Sequence, residues 1–255
     1  DDYFSASGLH CESSQEGQII LVRLVHDHCT ISIDSSGELL HRRGYRQAVA
    51  KAPIRENLAA GMVLASGWDR QSTIIDPFCG SGTIPIEASL LARHIAPGIN
   101  RPFQFMKWPA FDRTLWENTL DQSKKAILQN GPFLFGFDRD NGAITMAKMN
   151  AARAGQSDYI HFIRQAISFS QPSTEPGWVI TNPPYGIRVS QNKDLRDLYA
   201  KFGSILKDQF IGWNLSMLSN DDKLISIMGL GNPEKVTFIN NGGISVKLLS
   251  LQLKS

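Results

Sequence analysis

Apolar and polar residues alternate along this chain with two periods, and these periods predict where strands and helices lie. Residues 19–33 (IILVRLVHDHCTISI) form two β-rich, alternating stretches around Asp27-His28, followed by the turn-forming residues 34–37. They predict a hairpin or a pair of strands. From Ile54 to Leu64 the apolar residues recur at helical spacing, which predicts a helix that ends near Gly67.

The rest of the chain alternates short β-rich runs with helical patterns. We predict strands over residues 73–76, 133–138, 159–163, 178–181 and 214–218, and helices over residues 83–94, 141–154 and 195–209. A short element over residues 223–228 precedes a terminal strand pair, 236–239 and 246–253, and residues 96–118 predict an irregular insertion rich in Pro and aromatics. This order predicts an α/β fold of three layers, with a mostly parallel sheet and an antiparallel edge strand.

Composition narrows the class of protein. The chain has 255 residues, of which 42% are hydrophobic and 20% charged, and its net charge is +2. The length and the hydrophobic content are typical of a globular protein of one large domain, or of one domain with a smaller appendage. Because the net charge is small, a polyanionic partner must be bound by a local basic patch. No apolar run reaches membrane-spanning length, no signal region is visible and there are only three cysteines, so we expect a cytoplasmic protein. Because the chain lacks an initiator Met, we expect a missing partner domain.

A glycine-rich turn follows the strand at residues 73–76. Asp76-Pro-Phe-Cys-Gly-Ser-Gly-Thr83 lets the backbone pass close beneath a ligand, because Gly80 and Gly82 have no Cβ. The turn has neither the Lys of a phosphate-binding loop nor the spacing of a dinucleotide site, which favours a ligand with little negative charge. Asp76 would then suit an ammonium or a sulfonium. A plain glycine-rich turn is the alternative.

Asp138 ends the next predicted strand. A carboxylate at this place can accept hydrogen bonds from both hydroxyls of a ribose. The comparison with dinucleotide sites requires that residues 96–118 be an insertion, because Asp138 lies 56 residues beyond Gly82. Asp140 competes for the role, although an N-cap of the following helix is a serious alternative for it.

Asn182-Pro183-Pro184-Tyr185 comes directly after the strand at residues 178–181. The two prolines stiffen the turn, so the Asn182 side chain and the Pro183 carbonyl are held in fixed directions. Both groups accept hydrogen bonds and can together bind the two hydrogens of an exocyclic amine, while Tyr185 offers a flat face to a base. A simple strand terminator is the alternative. Because the carboxyl ends of parallel strands share one edge, we expect one cleft for this motif and the glycine turn.

These motifs resemble those of amino-group N-methyltransferases that use S-adenosylmethionine. More narrowly, the chain is similar to the bacterial large-subunit ribosomal RNA guanine-N2 methyltransferases that carry an RNA-binding THUMP domain. The similarity runs in family order from about Ile31 to the C-terminus, through the glycine turn, Asn182-Pro-Pro-Tyr-Gly186 and the segments SGELLHRRGYR (36–46), APIRENLA (52–59) and IEA (86–88).

The resemblance implies a Rossmann-like class I methyltransferase fold with a seven-stranded sheet. It implies that residues 1–46 are the tail of an N-terminal THUMP-like domain with a linker, and that residues 47–255 form the catalytic domain. S-adenosylmethionine is the implied cofactor and RNA the implied partner. The methionine part of S-adenosylmethionine would be bound by the glycine turn. The cofactor-binding residues that the resemblance indicates there are Asp76, Phe78, Cys79, Gly80, Gly82 and Thr83.

The resemblance also implies that Asp138 holds the ribose of the cofactor and that Asn182, Pro183 and Tyr185 grip the target base, with Asn182 contacting the cofactor as well. Two positions depart from the family pattern. Gln165 stands where relatives have Asp, although its carbonyl can still accept from the adenine amino group, and Gly186-Ile-Arg188 replaces Gly-Glu-Arg.

The implied reaction is an in-line displacement at a sulfonium methyl. Asn182 and the Pro183 carbonyl would accept both N–H bonds of a guanine N2 and stabilise the positive charge that grows on it. A base within a helix would be flipped out and stacked on Tyr185. Neither a metal nor a covalent nucleophile is required, and the spacing of His10-Cys11 and His26-Asp-His-Cys29 matches no usual zinc pattern.

Two acid-free basic stretches are candidates for RNA contact. The first, residues 39–55, contains Arg42, Arg43 and Arg46, which we predict to bind RNA, with a solvated face as the alternative. The second, residues 88–111, mixes basic and aromatic residues, which suits single-stranded RNA or an insertion packed on the core.

The sequence thus predicts an S-adenosylmethionine-dependent methyltransferase that acts on guanine N2 in RNA, with 23S ribosomal RNA as the expected substrate. A transfer-RNA guanine-N2 enzyme is the nearest alternative. A DNA adenine-N6 methyltransferase and a non-catalytic RNA-binding assembly factor are more distant ones.

Overall fold

A seven-stranded sheet forms the centre of the protein. The structure, a computed structural model, describes residues 17–47, 54–169, 175–185, 192–241 and 244–254. The strands of the sheet are β3 (Ile74–Asp76), β4 (Leu134–Asp138), β5 (Ile160–Arg164), β6 (Trp178–Thr181), β7 (Asn214–Ser219), β8 (Lys235–Asn241) and β9 (Ile244–Gln252). Their order across the sheet is β5-β4-β3-β6-β7-β9-β8.

Strands β3 to β7 run parallel, and β9 runs antiparallel to both β7 and β8. The predicted α/β fold with a mostly parallel sheet is confirmed, and its antiparallel edge is the β8–β9 pair. The predicted turn of this pair lies partly at residues 242–243, outside the described residues.

Helices cover both faces of the sheet, because the strands at its centre are apolar on both sides. The helices are α1 (Glu56–Ala65), α2 (Thr83–Ala92), α3 (Arg113–Lys125), α4 (Asn141–Arg153), α5 (Asn192–Gln209) and α6 (Asp222–Ile227). One buried cluster includes Ile74, Ile84 and Ile180, and a second includes Val179 and Phe202. Within the described part of the chain, no helix is long and apolar enough to cross a membrane.

The predicted N-terminal hairpin is present and stands apart from the sheet. Its strands, β1 (Ile20–Val25) and β2 (His28–Ile33), pair antiparallel around a turn at His26 and Asp27, whose φ angles are 46° and 60°. Positive φ at both central residues matches the right-handed twist of a hairpin. The apolar side chains of both strands are exposed.

The insertion is more regular than the sequence predicted, which corrects the expectation of an irregular segment over residues 96–118. It contains a 3₁₀ turn at Gln104–Lys107 and the start of α3, whose N-cap Asp112 accepts from Leu115 N at 2.9 Å. Its aromatic rings pack on one another, with 5.4 Å between the centroids of Phe105 and Trp116. These rings thus pack among themselves, while packing of the stretch on the core and its contact with single-stranded RNA both stay predictions.

Candidate active site

The candidate site lies at the point where the strand order of the sheet reverses. Strand β3 pairs with β4 on one side and with β6 on the other. The helices that follow β3 and β6 leave in opposite directions from such a point, so a crevice opens at the carboxyl ends of these strands. The glycine turn and Asn182–Tyr185 both begin at this edge, as the sequence predicted.

The glycine turn connects β3 to α2 through a left-handed backbone. Gly80 has a φ of 52°, and Gly82, the N-cap of α2, has a φ of 82°. A Cβ at Gly82 would lie 2.7 Å from Phe162 Cζ, closer than real Cβ atoms approach, and 3.0 Å from Ala147 Cβ, which is a tight contact. Gly82 is therefore required both by its dihedral angles and by the packing of the turn against β5 and α4.

Asp76 is almost completely buried at the end of β3, with 1% of its surface exposed. Its Oδ1 accepts from Thr181 Oγ1 at 2.7 Å and from Phe78 N at 3.2 Å. Burial nevertheless raises the pKa of Asp76 to about 7, and the nearby Asp138 carboxylate raises it as well. The bond from Thr181 joins the start of the glycine turn to the residue directly before Asn182.

The carboxylate of Asp138 reaches across to the glycine turn. Its Oδ2 accepts from Gly80 N at 3.1 Å, and its Oδ1 accepts from Asp140 N at 2.9 Å. Each carboxylate oxygen keeps a further lone pair for a ligand hydroxyl. Asp140, in contrast, caps α4 by accepting from Gly142 N at 2.7 Å, so the N-cap alternative is confirmed for Asp140.

Asn182 presents a buried acceptor at the end of β6. Its Oδ1 is shielded from solvent and has no hydrogen-bond partner among the described residues. Pro183 is buried, whereas Tyr185 is half-buried and packs partly on the core. The carbonyl of Pro184 accepts from the fully buried Tyr199 hydroxyl at 3.3 Å, so α5 fixes the far end of this turn. Gly186–Arg188, the second departure from the family pattern, lies outside the described residues.

A cavity of about 520 Å³ opens at this edge of the sheet, beside Arg139 and Pro184. Its walls are contributed by the segments after β4, β5 and β6 and by α5; the lining residues are Arg139, Ile167, Ser168, Pro184, Leu195, Asp197, Leu198 and Lys201. Apolar side chains from three of these segments line it together with charged and polar ones, a combination that is typical of sites for organic ligands. Of these residues only Pro184 belongs to a motif recognised in the sequence, because the lining residues share no local pattern that would predict a cavity.

Gln165 follows β5 at the same edge of the sheet. Its backbone N donates to the Asp138 carbonyl at 2.9 Å, and its side chain is half-buried. Cys79 is buried, and burial raises the pKa of its thiol well above the usual range. A protonated thiol at this place acts as a small packing group and not as a nucleophile.

The basic stretch is not a simple solvated face. Arg43 Nη2 lies 3.3 Å from Glu87 Oε2 and Arg46 Nη2 lies 3.0 Å from Glu56 Oε2, with both arginine side chains largely buried. Arg42 is exposed and pairs with Glu38. The solvated-face alternative is therefore wrong for Arg43 and Arg46. RNA binding by the three arginines stays a prediction, and Arg42 is the most exposed of them. Residues 48–53 of this basic stretch lie outside the described residues.

The residues at this edge fit a cationic nucleoside. Asp76 and Asp138 place two carboxylates at the ends of β3 and β4, beside a turn that a Cβ at Gly82 would obstruct, and the cavity lies at the same edge of the sheet. In the described residues there is no cluster of three or more His, Cys, Asp or Glu side chains that could hold a metal ion.

This combination is that of S-adenosylmethionine-dependent methyltransferases with a Rossmann-like fold. A solved structure of SMU.472, described as a methyltransferase complexed with S-adenosylhomocysteine, superposes with a TM-score of 0.86 at 31% identity, over 93% of this chain and 62% of that one. The chain belongs to UPF0020, the RMKL-like methyltransferase domain family, which matches residues 43–248. S-adenosylmethionine is its cofactor.

Two curated relatives share this domain. The chain is 37% identical over 257 residues to slr0064 of Synechocystis sp., named as an RNA methyltransferase, and the match covers 99% of this chain and 66% of that protein. It is 39% identical over 238 residues to the ribosomal RNA large subunit methyltransferase K/L of Allochromatium vinosum, over 89% of this chain and 32% of that protein. The chain thus spans about two thirds of the first relative and one third of the second.

Cofactor affinity should depend on pH through Asp76. Below about pH 7 the buried carboxyl of Asp76 keeps its proton, so it offers no negative charge to a cationic ligand. Between the ordinary pKa of Asp and about 7, Asp76 is protonated in the folded chain without ligand but ionised in the unfolded chain. The free energy of unfolding therefore falls as pH rises through this window. A bound cation favours the ionised form, and we expect the affinity for S-adenosylmethionine to rise about tenfold from pH 6 to a plateau above pH 8.

Calorimetry across this pH range measures the effect. Asp76→Asn should flatten the profile, whereas Asp140→Asn, which changes a nearby helix cap, should retain it. A flat profile in the unaltered protein would contradict the prediction.

Proposed function

We propose that this protein transfers a methyl group from S-adenosylmethionine to the exocyclic N2 of a guanine in RNA, with large-subunit ribosomal RNA as the substrate. The observation that carries the proposal is the Asn182 Oδ1 atom, a buried acceptor without a described partner, at the end of β6 beside the cofactor turn. A buried acceptor left unpaired is unfavourable, and an incoming amino group would satisfy it.

The names of the relatives support RNA as the substrate. The K/L enzymes are named for methylation of large-subunit ribosomal RNA, and slr0064 is named as an RNA methyltransferase. Because these matches cover only part of each relative, the substrate of this protein is our inference from a shared catalytic domain.

In the proposed reaction the chain positions the amine and excludes water. The cofactor supplies a methyl group on a sulfonium, which needs no further activation. Asn182 Oδ1 and the Pro183 carbonyl would accept the two N2 hydrogens, which favours a pyramidal nitrogen whose lone pair points at the methyl group. Transfer would leave neutral S-adenosylhomocysteine, and the methylated nitrogen would release one of its two hydrogens as a proton to give N2-methylguanine. Tyr185 stacks on the flipped base. Thr181 and Tyr199 hold the two ends of this turn through the contacts described above.

The N-terminal part of the chain is proposed to serve RNA capture. Residues 1–46 would be the tail of a THUMP-like RNA-binding domain with its linker, and residues 47–255 the catalytic domain. The exposed apolar side chains of the β1–β2 hairpin support this division, because a two-stranded hairpin is marginally stable without further packing. Such a protein would act in the cytoplasm.

Nucleoside mass spectrometry of a deletion strain tests the proposal. We expect N2-methylguanosine to be lost from one position of 23S ribosomal RNA and to be restored by the intact gene, but not by a gene that encodes Asn182→Ala. Unchanged N2-methylguanosine in ribosomal RNA would refute the substrate assignment. Loss of the same nucleoside from transfer RNA, or of N6-methyladenine from DNA, would support the corresponding alternative.

A further inference from the structure

Residues 42–46, which belong to the linker of the proposed domain division and are called the linker segment below, are bound to α2, the helix that follows the glycine turn. Arg43 Nε and Nη2 each lie 3.3 Å from the Glu87 carboxylate, and the Tyr45 hydroxyl donates to Glu87 Oε1 at 2.9 Å. Burial raises the pKa of Glu87, while Arg43 opposes this effect. Glu87 lies one turn into α2, so the linker fixes the helix whose N-terminus is Gly82.

A second path runs from the linker to the turn itself, through α4. Arg153 Nε donates to the Tyr45 carbonyl at 2.7 Å, and Arg153 Nη2 donates to Asn150 Oδ1. Asn150 Nδ2 in turn donates to the Ser81 carbonyl at 3.0 Å. Ser81 lies between Gly80 and Gly82, the two left-handed residues of the turn.

The Asn150 side chain has no contact with solvent, since the residue is 0% exposed. Water therefore cannot replace the bond to Ser81, and an orphaned carbonyl would be unfavourable. The direction of the Ser81 carbonyl is set by the peptide plane that it shares with Gly82 N. Asn150 thus constrains the backbone that must pass beneath the cofactor.

We propose that the linker segment is a structural part of the cofactor site, so that cofactor binding and linker ordering stabilise each other. Arg153 and Asn150 are the positioning residues of this coupling, and neither contacts the cofactor. Linkage requires that the effect be reciprocal. A partner or domain that holds the linker therefore raises cofactor affinity, and bound cofactor fixes the direction in which the chain upstream of the linker leaves the catalytic domain.

Asn150→Asp separates positioning from simple stability. It replaces the amide donor to Ser81 by a carboxylate oxygen of the same shape and keeps the pair with Arg153. Gln156→Glu is the matched control, because Gln156 is also buried, also accepts from an arginine (Arg93 Nη1, 3.0 Å) and also donates to a backbone carbonyl (Ala154, 3.0 Å), but does not touch the turn. We expect calorimetry with S-adenosylhomocysteine to show about tenfold weaker binding for Asn150→Asp and unchanged binding for Gln156→Glu.

Hydrogen exchange in the unaltered protein tests the other direction without a variant. We expect S-adenosylhomocysteine to slow amide exchange in a peptide that covers residues 40–47, and to slow it less in Asn150→Asp. Equal affinities of the two variants would overturn the proposal, as would linker exchange that the ligand leaves unchanged in the unaltered protein. If Asn150→Asp does not fold, the exchange measurement on the unaltered protein decides alone.

Discussion

Asn182→Ala is expected to reduce methyl transfer to RNA by at least tenfold and, by comparison with other groups that stabilise developing charge, by about 100- to 1000-fold. The substitution removes the buried Oδ1 acceptor that lies beside the cofactor turn. The turnover number should fall, because the lost interaction strengthens only as positive charge grows on the amine. Affinity for S-adenosylhomocysteine should change little, since the cofactor turn and Asp138 remain intact.

Asn214→Ala provides the matched control. Asn214 is also half-buried and lies at the amino end of the neighbouring strand β7, opposite Trp178 at the start of β6. We expect Asn214→Ala to retain normal turnover on RNA that lacks the modification. Near-normal turnover of Asn182→Ala, in a protein that still binds S-adenosylhomocysteine, would contradict the role assigned to Asn182.

The shared edge at which the candidate residues meet could be predicted, because their signals are local. The glycine turn, Asp138 and Asn182 each follow a recognisable strand, and parallel strands bring their carboxyl ends to one edge. The alternation of strands and helices was sufficient to predict a mostly parallel sheet. The β1–β2 and β8–β9 pairs agree with the period-two patterns in their sequences. Among the helices of the described residues, α3 was missed, although Asp112 carries a normal N-cap signal, and α6 was predicted only as a short element of no stated type.

The contacts that hold the site together could not be predicted, because they join residues far apart in sequence. Thr181 and Asp76 are 105 residues apart, and Arg43 and Glu87 are 44 apart. A count of charges along the chain presented Arg43 as part of a basic surface, since the acidic partner lies in another element. Proximity along the chain does not indicate which side chains are buried. In the folded protein Arg43 and Arg46 are largely buried and form ion pairs with Glu87 and Glu56.

The same limit applied to the walls of the cavity beside Arg139 and Pro184. Arg139, Ile167 and Leu198 come from three segments and share no spacing in sequence. Glycine was more informative, because a left-handed backbone and a close approach restrict a position to one residue type. Gly82 meets both conditions, and this makes it the position where the smallest substitution should have a large effect.

Gly82→Ala is expected to weaken the binding of S-adenosylhomocysteine by more than about tenfold and to lower the melting temperature clearly. A left-handed backbone at a residue with a Cβ costs about 1–2 kcal/mol, and overpacking of a filled site adds about 1–3 kcal/mol. The added Cβ meets Phe162, which is itself buried and cannot move aside. The turn must therefore shift away from β5, which displaces Gly80 N from Asp138.

Gly67→Ala separates the two contributions. Gly67 has nearly the same φ, 79° against 82°, but a Cβ there would meet nothing within 4 Å. It should show only the backbone effect, a fall in melting temperature of about 2–8 °C for a chain of this size, with cofactor affinity unchanged. If Gly82→Ala matched Gly67→Ala in both calorimetry and thermal unfolding, the packing of the turn against Phe162 would have no part in cofactor binding.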